Sequence, residues 1–143
     1  MKITSRGRYA LKVMIDIAEQ KTDEYIKLND IAIRQSISEK YLESIIASLT
    51  KAGLLIGVRG KGGGYKLSKK PEEYTVGSIL KITEGSLTPV SCMDCKPNTC
   101  VSVESCKTLP LWEGLDKVID NYLESVTIAD LAFGKNTGDN YVI

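Results

Sequence analysis

The sequence of 143 residues contains no histidine. Histidine is the side chain that titrates closest to neutral pH and the commonest metal ligand among the nitrogen donors. Its absence excludes hydrolases that depend on a serine–histidine or cysteine–histidine pair. No other pattern in the chain indicates a catalytic site or a small-molecule substrate, so we expect a protein that is not an enzyme.

The sequence also lacks a long uninterrupted apolar run. Its N-terminal segment carries charge at Lys2, Arg6, Arg8, Lys12 and Asp16 and does not resemble a signal peptide. No later run has the length needed to span a bilayer. These absences predict a cytoplasmic protein without a membrane partner.

Net charge is nearly absent as well, at +1 from 19 basic and 18 acidic residues, but the two signs are unevenly distributed. Residues 1–70 carry fourteen basic and seven acidic side chains, hence +7, whereas residues 71–143 carry five and eleven, hence −6. This division is typical of a chain that binds nucleic acid through one half only. We expect these two regions to share one compact domain, which 43% apolar residues can fill.

The basic half begins with the pattern of an amphipathic helix followed by two shorter helices. Tyr9, Val13 and Ile17 recur every four residues and predict a helix over residues 6–20, with Thr4 or Ser5 as its N-cap. For the two shorter helices that follow, the predicted N-caps are Asn29 and Ser38, and Gly53 is the predicted stop. Two short helices joined by so few residues indicate a helix-turn-helix.

The third predicted helix has one apolar and one polar face. Leu42, Ile45, Ile46 and Leu49 follow the spacing of a buried helix face. The opposite face carries small and polar side chains that would let the backbone come close to a ligand: Lys40, Glu43, Ser44, Ala47 and Lys51.

A basic β-hairpin follows the third helix. The segments LLIGVR and YKLSKK predict two strands, joined by the glycine-rich turn GKGGG. A hairpin in this place is a wing. Because a tight turn needs one or two glycines, four glycines favour close approach to a phosphate or to a narrow minor groove. A nucleotide-binding loop is excluded, since neither its spacing nor its following helix is present.

The helix-turn-helix, the wing and the positive charge together predict DNA binding. Ser38, Lys40 and Tyr41 are placed to contact phosphates or base edges, and Glu43 to accept a hydrogen bond from cytosine N4 in the major groove. The other candidates are Arg6 and, at the wing, Arg59, Lys61, Gly62 and Gly63. For Glu43 the alternative is a surface ion pair with Lys40 or Lys51.

The acidic half contains three further predicted helices. Thr75 caps one that runs to about Glu84, Pro110 opens a long one, and Thr127 with Asp130 resembles the capping arrangement of a short one. The long helix is expected to need a packing partner, because its apolar stripe is nearly unbroken. This stripe consists of Leu111, Leu115, Val118, Ile119, Tyr122, Leu123 and Val126.

All four cysteines lie in the segment from residue 92 to residue 106, here called the cysteine loop: Cys92, Cys95, Cys100 and Cys106. Thiolates suit both zinc and iron–sulfur clusters. In a reducing compartment such a set is more typical of a metal centre than of structural disulfides. The spacing lacks the paired CxxC motifs of structural zinc sites. Inert or redox-active thiols remain the alternative.

Six motifs in order along the chain resemble the Rrf-two (Rrf2) family of bacterial regulators, whose members include IscR, NsrR and CymR. They are ITSRGRYAL, ISEKYLESI, AGLLIGVRGKGGGY, the cysteine loop, LW at residues 111–112 and TIADLA. The resemblance implies a mainly α-helical fold with a small β-wing, namely a winged helix-turn-helix plus a long C-terminal dimerisation helix. It also implies a homodimer that binds palindromic double-stranded promoter DNA.

For the cysteine loop, the resemblance implies an iron–sulfur cluster, either 2Fe-2S or 4Fe-4S. IscR-like members complete their site with a histidine at the position of Leu109, and NsrR-like members with an aspartate at the position of Arg8. Neither donor is present here, so ligation by cysteines alone is the economical hypothesis. Cys100 and Cys106 match the family's last two ligands by their distance from Trp112. Another departure is Thr50, where the family often has a basic residue.

Two alternatives to a cluster-dependent regulator remain open on the sequence. The nearer one is a regulator controlled by thiol oxidation or by a partner protein, as in CymR-like members that lack the cysteine set. The remote one is a small metal or electron carrier, which would leave the wing glycines and the basic half unexplained.

Overall fold

The computed structural model describes residues 2–94 and 102–134, which form six α-helices and a two-stranded sheet. The elements follow one another as α1 (Ser5–Glu19), α2 (Leu28–Gln35), α3 (Glu39–Lys51), β1 (Leu55–Val58), β2 (Gly64–Leu67), α4 (Val76–Glu84), α5 (Leu109–Ser125) and α6 (Ile128–Phe133). The predicted class, mainly α with a small β-wing, is confirmed. Within the described part of the chain, every helix is too short or too polar to span a bilayer.

Helix α1 is the centre of the fold. Its N-cap is Thr4, whose hydroxyl accepts a hydrogen bond from the Gly7 N–H, so the predicted start and end are each within one residue. Of the predicted apolar stripe, Val13 and Ile17 are buried, and Tyr9 at its start is partly buried against the core. One side of α1 packs against α2 and α3, and other parts of it pack against α4 and α6.

Helices α2 and α3 form the predicted helix-turn-helix. The prediction of Asn29 as a cap is wrong: α2 begins at Leu28, and Asn29 lies inside its first turn. In the short turn, Ser36 adopts a left-handed backbone conformation (φ 54°) that ends α2. Helix α3 begins where predicted, because the Ser38 hydroxyl accepts a hydrogen bond from the Tyr41 N–H. The four residues of its predicted apolar face, Leu42, Ile45, Ile46 and Leu49, are fully buried.

A buried ion pair fastens α2 to α1. Asp16 is only 2% exposed although it lies on a helix with an apolar stripe. Its carboxylate accepts hydrogen bonds from Arg34 Nε and Nη2, at 3.0 and 2.7 Å, and from Gln35 Nε2 at 2.9 Å. Because the described partners of the Asp16 carboxylate all come from the last turn of α2, this network holds the first helix of the helix-turn-helix on the core.

The wing is an antiparallel hairpin in which Leu55 pairs with Leu67 and Val58 with Gly64. Ile26 exchanges two backbone hydrogen bonds of 2.8 Å with Tyr65, so the extended segment before α2 lies alongside β2. The paired strands are shorter than the predicted segments. At the open end of the hairpin the Tyr74 hydroxyl, rather than the opposite strand, forms hydrogen bonds with the backbone. It donates to the Leu54 carbonyl at 2.9 Å and accepts from the Lys69 N–H at 2.8 Å.

The helices of the acidic half pack on α1 and on one another: α4 and α6 contact α1, and α5 contacts α4. The capping predictions for this half are confirmed: Thr75 caps α4, and Thr127 with Asp130 forms a reciprocal capping box on α6. Pro110 is the second residue of α5 rather than the first. Helix α5 contacts α4, yet none of its residues is buried.

Candidate nucleic-acid interface and cysteine loop

The outer face of α3 is open to solvent, and all five residues predicted there are exposed: Lys40, Glu43, Ser44, Ala47 and Lys51. Ser38, at the start of the helix, is exposed, but its hydroxyl is used for the N-cap. The Tyr41 ring is half-buried and packs edge-on against Tyr9 of α1, with ring centroids 5.7 Å apart. Lys40 is the one cation among the residues predicted to contact DNA at this helix start, and it is exposed.

Glu43 projects from the first turns of α3 without a cationic partner. The alternative of a surface pair with Lys40 or Lys51 is not formed, since no ion pair within residues 2–94 and 102–134 involves this carboxylate. An exposed and unpaired carboxylate beside a phosphate chain is repelled. Its position thus has an electrostatic cost that a hydrogen bond to a base would offset.

Arg6 is the predicted interface residue with the most internal contacts. Its guanidinium donates to Ser44 Oγ at 2.8 Å, to the Ser44 carbonyl at 3.1 Å and to Ser48 Oγ at 2.6 Å. The side chain is half-buried between α1 and α3. Neither the spacing nor the charge pattern of the sequence indicated these bonds, because they join residues 38 and 42 positions apart.

At the wing tip, Arg59 and Lys61 are both exposed, and neither side chain bonds to another residue in the described part of the chain. Three of the glycines around them, Gly60, Gly62 and Gly64, have positive φ angles. Gly63 has no room for a side chain, because a Cβ there would collide with the carbonyl oxygen of Val58. The expectation that the turn needs only one or two glycines is wrong, since the turn itself requires all four.

A groove separates α3 from the wing, and Lys51 and Arg59 stand at its rim. Thr50 also lines it, at the position where the family often has a basic residue. Among the buried side-chain oxygen and nitrogen atoms of the described residues, the Thr50 hydroxyl is the one without a hydrogen-bond partner. Two cations on either side of a groove favour a polyanion along it.

The cysteine loop is described at its two ends. Cys92 lies in a short 3-10 turn, Ser91–Met93, and Cys106 lies three residues before α5; both are half-buried free thiols. Cys95 and Cys100 lie outside the described residues. Within residues 2–94 and 102–134 no three side chains of the types that bind metals converge.

Hydrogen bonds set the electrostatics at both ends of the loop. The Thr108 hydroxyl, 3.4 Å from Cys106 Sγ, and the backbone N–H groups of Thr108 and Leu109 lower the pKa of the Cys106 thiol. At the other end, Asp94 accepts from the Ser86 hydroxyl at 2.5 Å and from Thr88, and these bonds lower the pKa of its carboxyl. The first bonds favour a thiolate, the form that ligates metals, and the second hold residues 86–94 in a folded turn.

The profile of the Rrf2 family, described as an iron-dependent transcriptional regulator, matches residues 3–133 of this chain. The chain belongs to the Rrf2 family. The HTH-type transcriptional regulator IscR of Aliivibrio salmonicida is 38% identical to this Rrf2 protein over 131 residues, which cover 92% of the chain and 77% of that relative. The predicted family is thus confirmed, and this protein is a transcriptional regulator, not an enzyme.

Two solved structures share the fold of this Rrf2 regulator. CymR, the global cysteine regulator of B. subtilis, has a TM-score of 0.77 and 32% identity over 95% of this chain and 99% of its own. IscR of T. potens has a TM-score of 0.71 and 34% identity over 100% of this chain and 93% of its own. The regulator function favours a DNA-binding winged helix over the small electron carrier considered from the sequence.

Both departures from the family's known ligand sets are visible in the fold. Leu109 is the half-buried first residue of α5, and Arg8 is an exposed residue of α1. Neither leucine nor arginine is a metal ligand, so these two positions lack the donors that the resemblance implied for IscR-like and NsrR-like members.

Proposed function

We propose that this Rrf2 regulator binds inverted-repeat operator DNA as a homodimer, and that a cluster held by its cysteine loop sets its affinity for that DNA. As a DNA-binding transcriptional regulator it would act in the cytoplasm. In this proposal residues 1–70 read DNA, and residues 71–143 sense and dimerise.

The observation that carries the DNA interface is the outer face of α3 beside the basic wing. Lys40 and the unpaired Glu43 extend from α3, and Arg59 and Lys61 extend from the wing tip. We propose that Ser38, Lys40, Tyr41 and Glu43 enter the major groove, while Arg59, Lys61, Gly62 and Gly63 follow the backbone into the neighbouring minor groove. Arg6 belongs to the same interface through its bonds to α3.

The proposed homodimer would form through a face of α5 that is apolar and exposed. Leu111 and Val118 are 61% and 64% exposed, and Leu115 and Tyr122 between and beyond them are 39% and 41% exposed. The 17-residue helix presents these side chains at intervals of three or four residues, which is the spacing of a helix–helix contact. A second copy of α5 would cover the stripe on both chains at once, as a two-fold contact does.

Two-fold symmetry fixes the form of the operator. The two α3 helices of a dimer meet successive major grooves about 34 Å apart. The same surface then reads each half-site in opposite directions. An inverted repeat follows, as it does for other dimeric helix-turn-helix proteins.

The donor set of the cysteine loop fits an iron–sulfur cluster. Cys92, Cys95, Cys100 and Cys106 supply four thiol groups within fifteen residues, and the two that are described are free and only half-buried. When bound, a 2Fe-2S or 4Fe-4S cluster supplies a centre that changes charge on reduction and is damaged by oxidants. The loop is joined directly to α5, so the state of its cysteines would bias how the two α5 helices pair and how the two α3 helices are spaced.

Anaerobic purification with iron, sulfide and zinc analysis tests the cluster. The proposal expects coloured protein with iron and acid-labile sulfide in equal amounts, and loss of both in single Cys→Ala variants at ligating positions. Ser102→Ala, within the same loop, is the matched control and should retain the full iron content. Colourless protein that contains zinc, or no metal at all, would contradict it.

A second candidate is a regulator that responds to thiol oxidation without a cluster. Two free, half-buried thiols at the ends of one loop favour it. A regulator of this kind would bind its operator DNA when metal-free and would release the DNA after treatment with an oxidant. Recovery of binding on addition of a reductant alone, without iron or sulfide, would distinguish it from the cluster regulator.

A further inference from the structure

Arg6 differs from the other cations of the proposed interface in what surrounds its charge. Lys40, Arg59 and Lys61 are exposed and have no bonded partner in the described ranges. The Arg6 guanidinium already donates three hydrogen bonds to α3, all between 2.6 and 3.1 Å. These bonds use three of the five N–H donors of the guanidinium, and a role in positioning α3 needs no change in them.

The bonds from Arg6 hold α3 at two successive turns. Nη1 and Nη2 reach the hydroxyl and the carbonyl of Ser44, and Nη2 also reaches the hydroxyl of Ser48 one turn later. Successive residues of a helix are about 100° apart around its axis. Two anchors four residues apart on one side therefore resist rotation of α3 about that axis.

Rotation of α3 is the motion that base reading tolerates least. Ser44 is itself a residue of the exposed face and directly follows Glu43, and Ser48 directly follows Ala47 of the same face. A bond between a side chain and a base edge requires placement to a fraction of an ångström. Contacts to phosphates are less demanding, because they depend mainly on charge.

The start of α1, which carries Arg6, is also held in place. The Thr4 backbone N–H and hydroxyl donate to Glu84 Oε1 at 3.0 and 2.8 Å, which ties the start of α1 to the end of α4. Gly7 permits this approach, since a Cβ at that position would collide with the Glu84 carboxylate. Arg6 thus connects α3 to a helix of the half that carries the cysteine loop.

We infer that Arg6 is a positioning residue that holds α3 through Ser44 and Ser48 at the rotation needed to read bases, and that it is not a phosphate contact. The inference rests on the proposed DNA interface. It assigns the Ser48 hydroxyl, which lies beside the exposed face and is half-buried, a part in DNA discrimination.

Ser48→Ala separates the two roles, because it removes a partner of Arg6 and no charge. The affinities of the parent, Arg6→Ala, Ser48→Ala and the double variant are measured over a range of salt concentrations. The probes are a duplex selected from a random pool by the parent and an unrelated duplex. Arg8→Ala is the charge-matched control: Arg8 is exposed and its side chain bonds to no other described residue.

If Arg6 positions α3, Arg6→Ala should lower the ratio of the affinity for the selected duplex to the affinity for the unrelated duplex by about tenfold. This is the discrimination that one mismatched base pair typically costs. Ser48→Ala should lower it in the same direction, and the double variant should lose no more than Arg6→Ala alone. The slope of log affinity against log salt should equal that of the parent. Arg8→Ala should leave the ratio unchanged.

A phosphate contact predicts the opposite pattern and would overturn the inference. Arg6→Ala would then weaken both duplexes equally and reduce the salt slope by about 0.9, while Ser48→Ala would have no effect. If Arg6→Ala does not fold, as judged by circular dichroism, the result for Ser48→Ala decides alone. A parent that binds both duplexes equally would instead overturn the DNA interface itself, and the inference with it.

Discussion

At the scale of single residues, the proposed interface separates a residue that reads bases from one that neutralises charge. Glu43 is an exposed carboxylate without a cationic partner among the described residues, whereas Lys61 is an exposed cation at the wing tip. A carboxylate improves DNA binding only where a base donates to it. A lysine on the backbone improves binding to any sequence.

Glu43→Ala is therefore expected to change which sequences bind, with a loss of about 1–3 kcal/mol on the preferred base pair and little or no loss elsewhere. Lys61→Ala should weaken binding equally on all duplexes and lower the salt slope by about 1. Selection from a random pool, followed by titrations of the chosen duplexes, measures both. Equal losses on every duplex for Glu43→Ala would count against its role in base reading.

The pair of Asp16 and Arg34 is a second feature at this scale, and it concerns stability. Asp16 is buried, but the Arg34 side chain is 38% exposed. Removal of the arginine leaves a carboxylate in the core with Gln35 as its remaining side-chain partner. Removal of the carboxylate leaves an arginine that can turn towards water.

Arg34→Met is expected to destabilise the fold by about 3 kcal/mol, because an uncompensated charge stays buried. The double variant Asp16→Asn with Arg34→Met should regain part of this loss. Unfolding in urea, followed by circular dichroism, measures both values. A double variant less stable than Arg34→Met would show that the Asp16 carboxylate does not depend on its arginine.

At the scale of elements, α4 and α5 are joined by charge as well as by packing. Glu124 accepts from the Thr75 hydroxyl at 2.7 Å and from Lys81 Nζ at 3.0 Å, and Lys81 also reaches Asp120 at 2.6 Å. The bond from Thr75, followed by that from Lys81, lowers the pKa of Glu124. The bonds to Asp120 and Glu124 raise the pKa of Lys81. Both shifts widen the pH range over which Glu124 and Lys81 are charged.

The pH dependence of this junction follows from the direction of the shifts. A carboxyl with a lowered pKa stabilises the fold above its ordinary pKa, and the contribution is lost as the pH falls through the lowered value. Glu124→Gln should therefore lower the melting temperature at neutral pH, and its difference from the parent should shrink in acid. Glu113→Gln, at an exposed position of α5, is the control. A difference that is constant over the whole pH range would contradict an ionic origin.

Elements with local signals could be predicted from the sequence, and those fixed by distant contacts could not. The starts of α3 and α6 could be predicted, because the Ser38 and Thr127 side chains bond to backbone N–H groups three residues further along the chain. The start of α2 was not, since its N-cap Lys27 uses no side-chain bond.

The candidate site shows the same division. The exposed face of α3 followed from helical spacing alone. The bonds of Arg6 join α1 to α3 across 38 and 42 residues, and no local pattern marks them. The four wing glycines were read as room for a ligand, whereas the hairpin geometry itself requires them.

At the scale of the whole molecule, the proposed homodimer would use the exposed stripe of α5 and would separate the two charged halves. Two copies joined through α5 would place their acidic halves together and their basic halves outward. Substitution of an exposed residue on this stripe should disturb the assembly but not the fold of one chain. Val118 is suitable because it is 64% exposed.

Val118→Lys is expected to convert the proposed homodimer to a monomer that retains its helix content, because a charge would be buried in the centre of the proposed α5 contact. Lys117→Ala, at the next position and exposed, should stay dimeric. Light scattering after size-exclusion chromatography gives the mass of each. A dimer that survives Val118→Lys would place the contact on another surface.

Operator titration of the anaerobically purified protein, before and after removal of metal by a chelator and at one salt concentration, is the most direct test of control by the cysteine loop. The account predicts affinities for the selected duplex that differ by about tenfold or more, within the range of ordinary allosteric coupling. The single Cys→Ala variants should match the stripped protein. Metal-free protein that binds the same duplex with the affinity of the untreated protein would contradict the account.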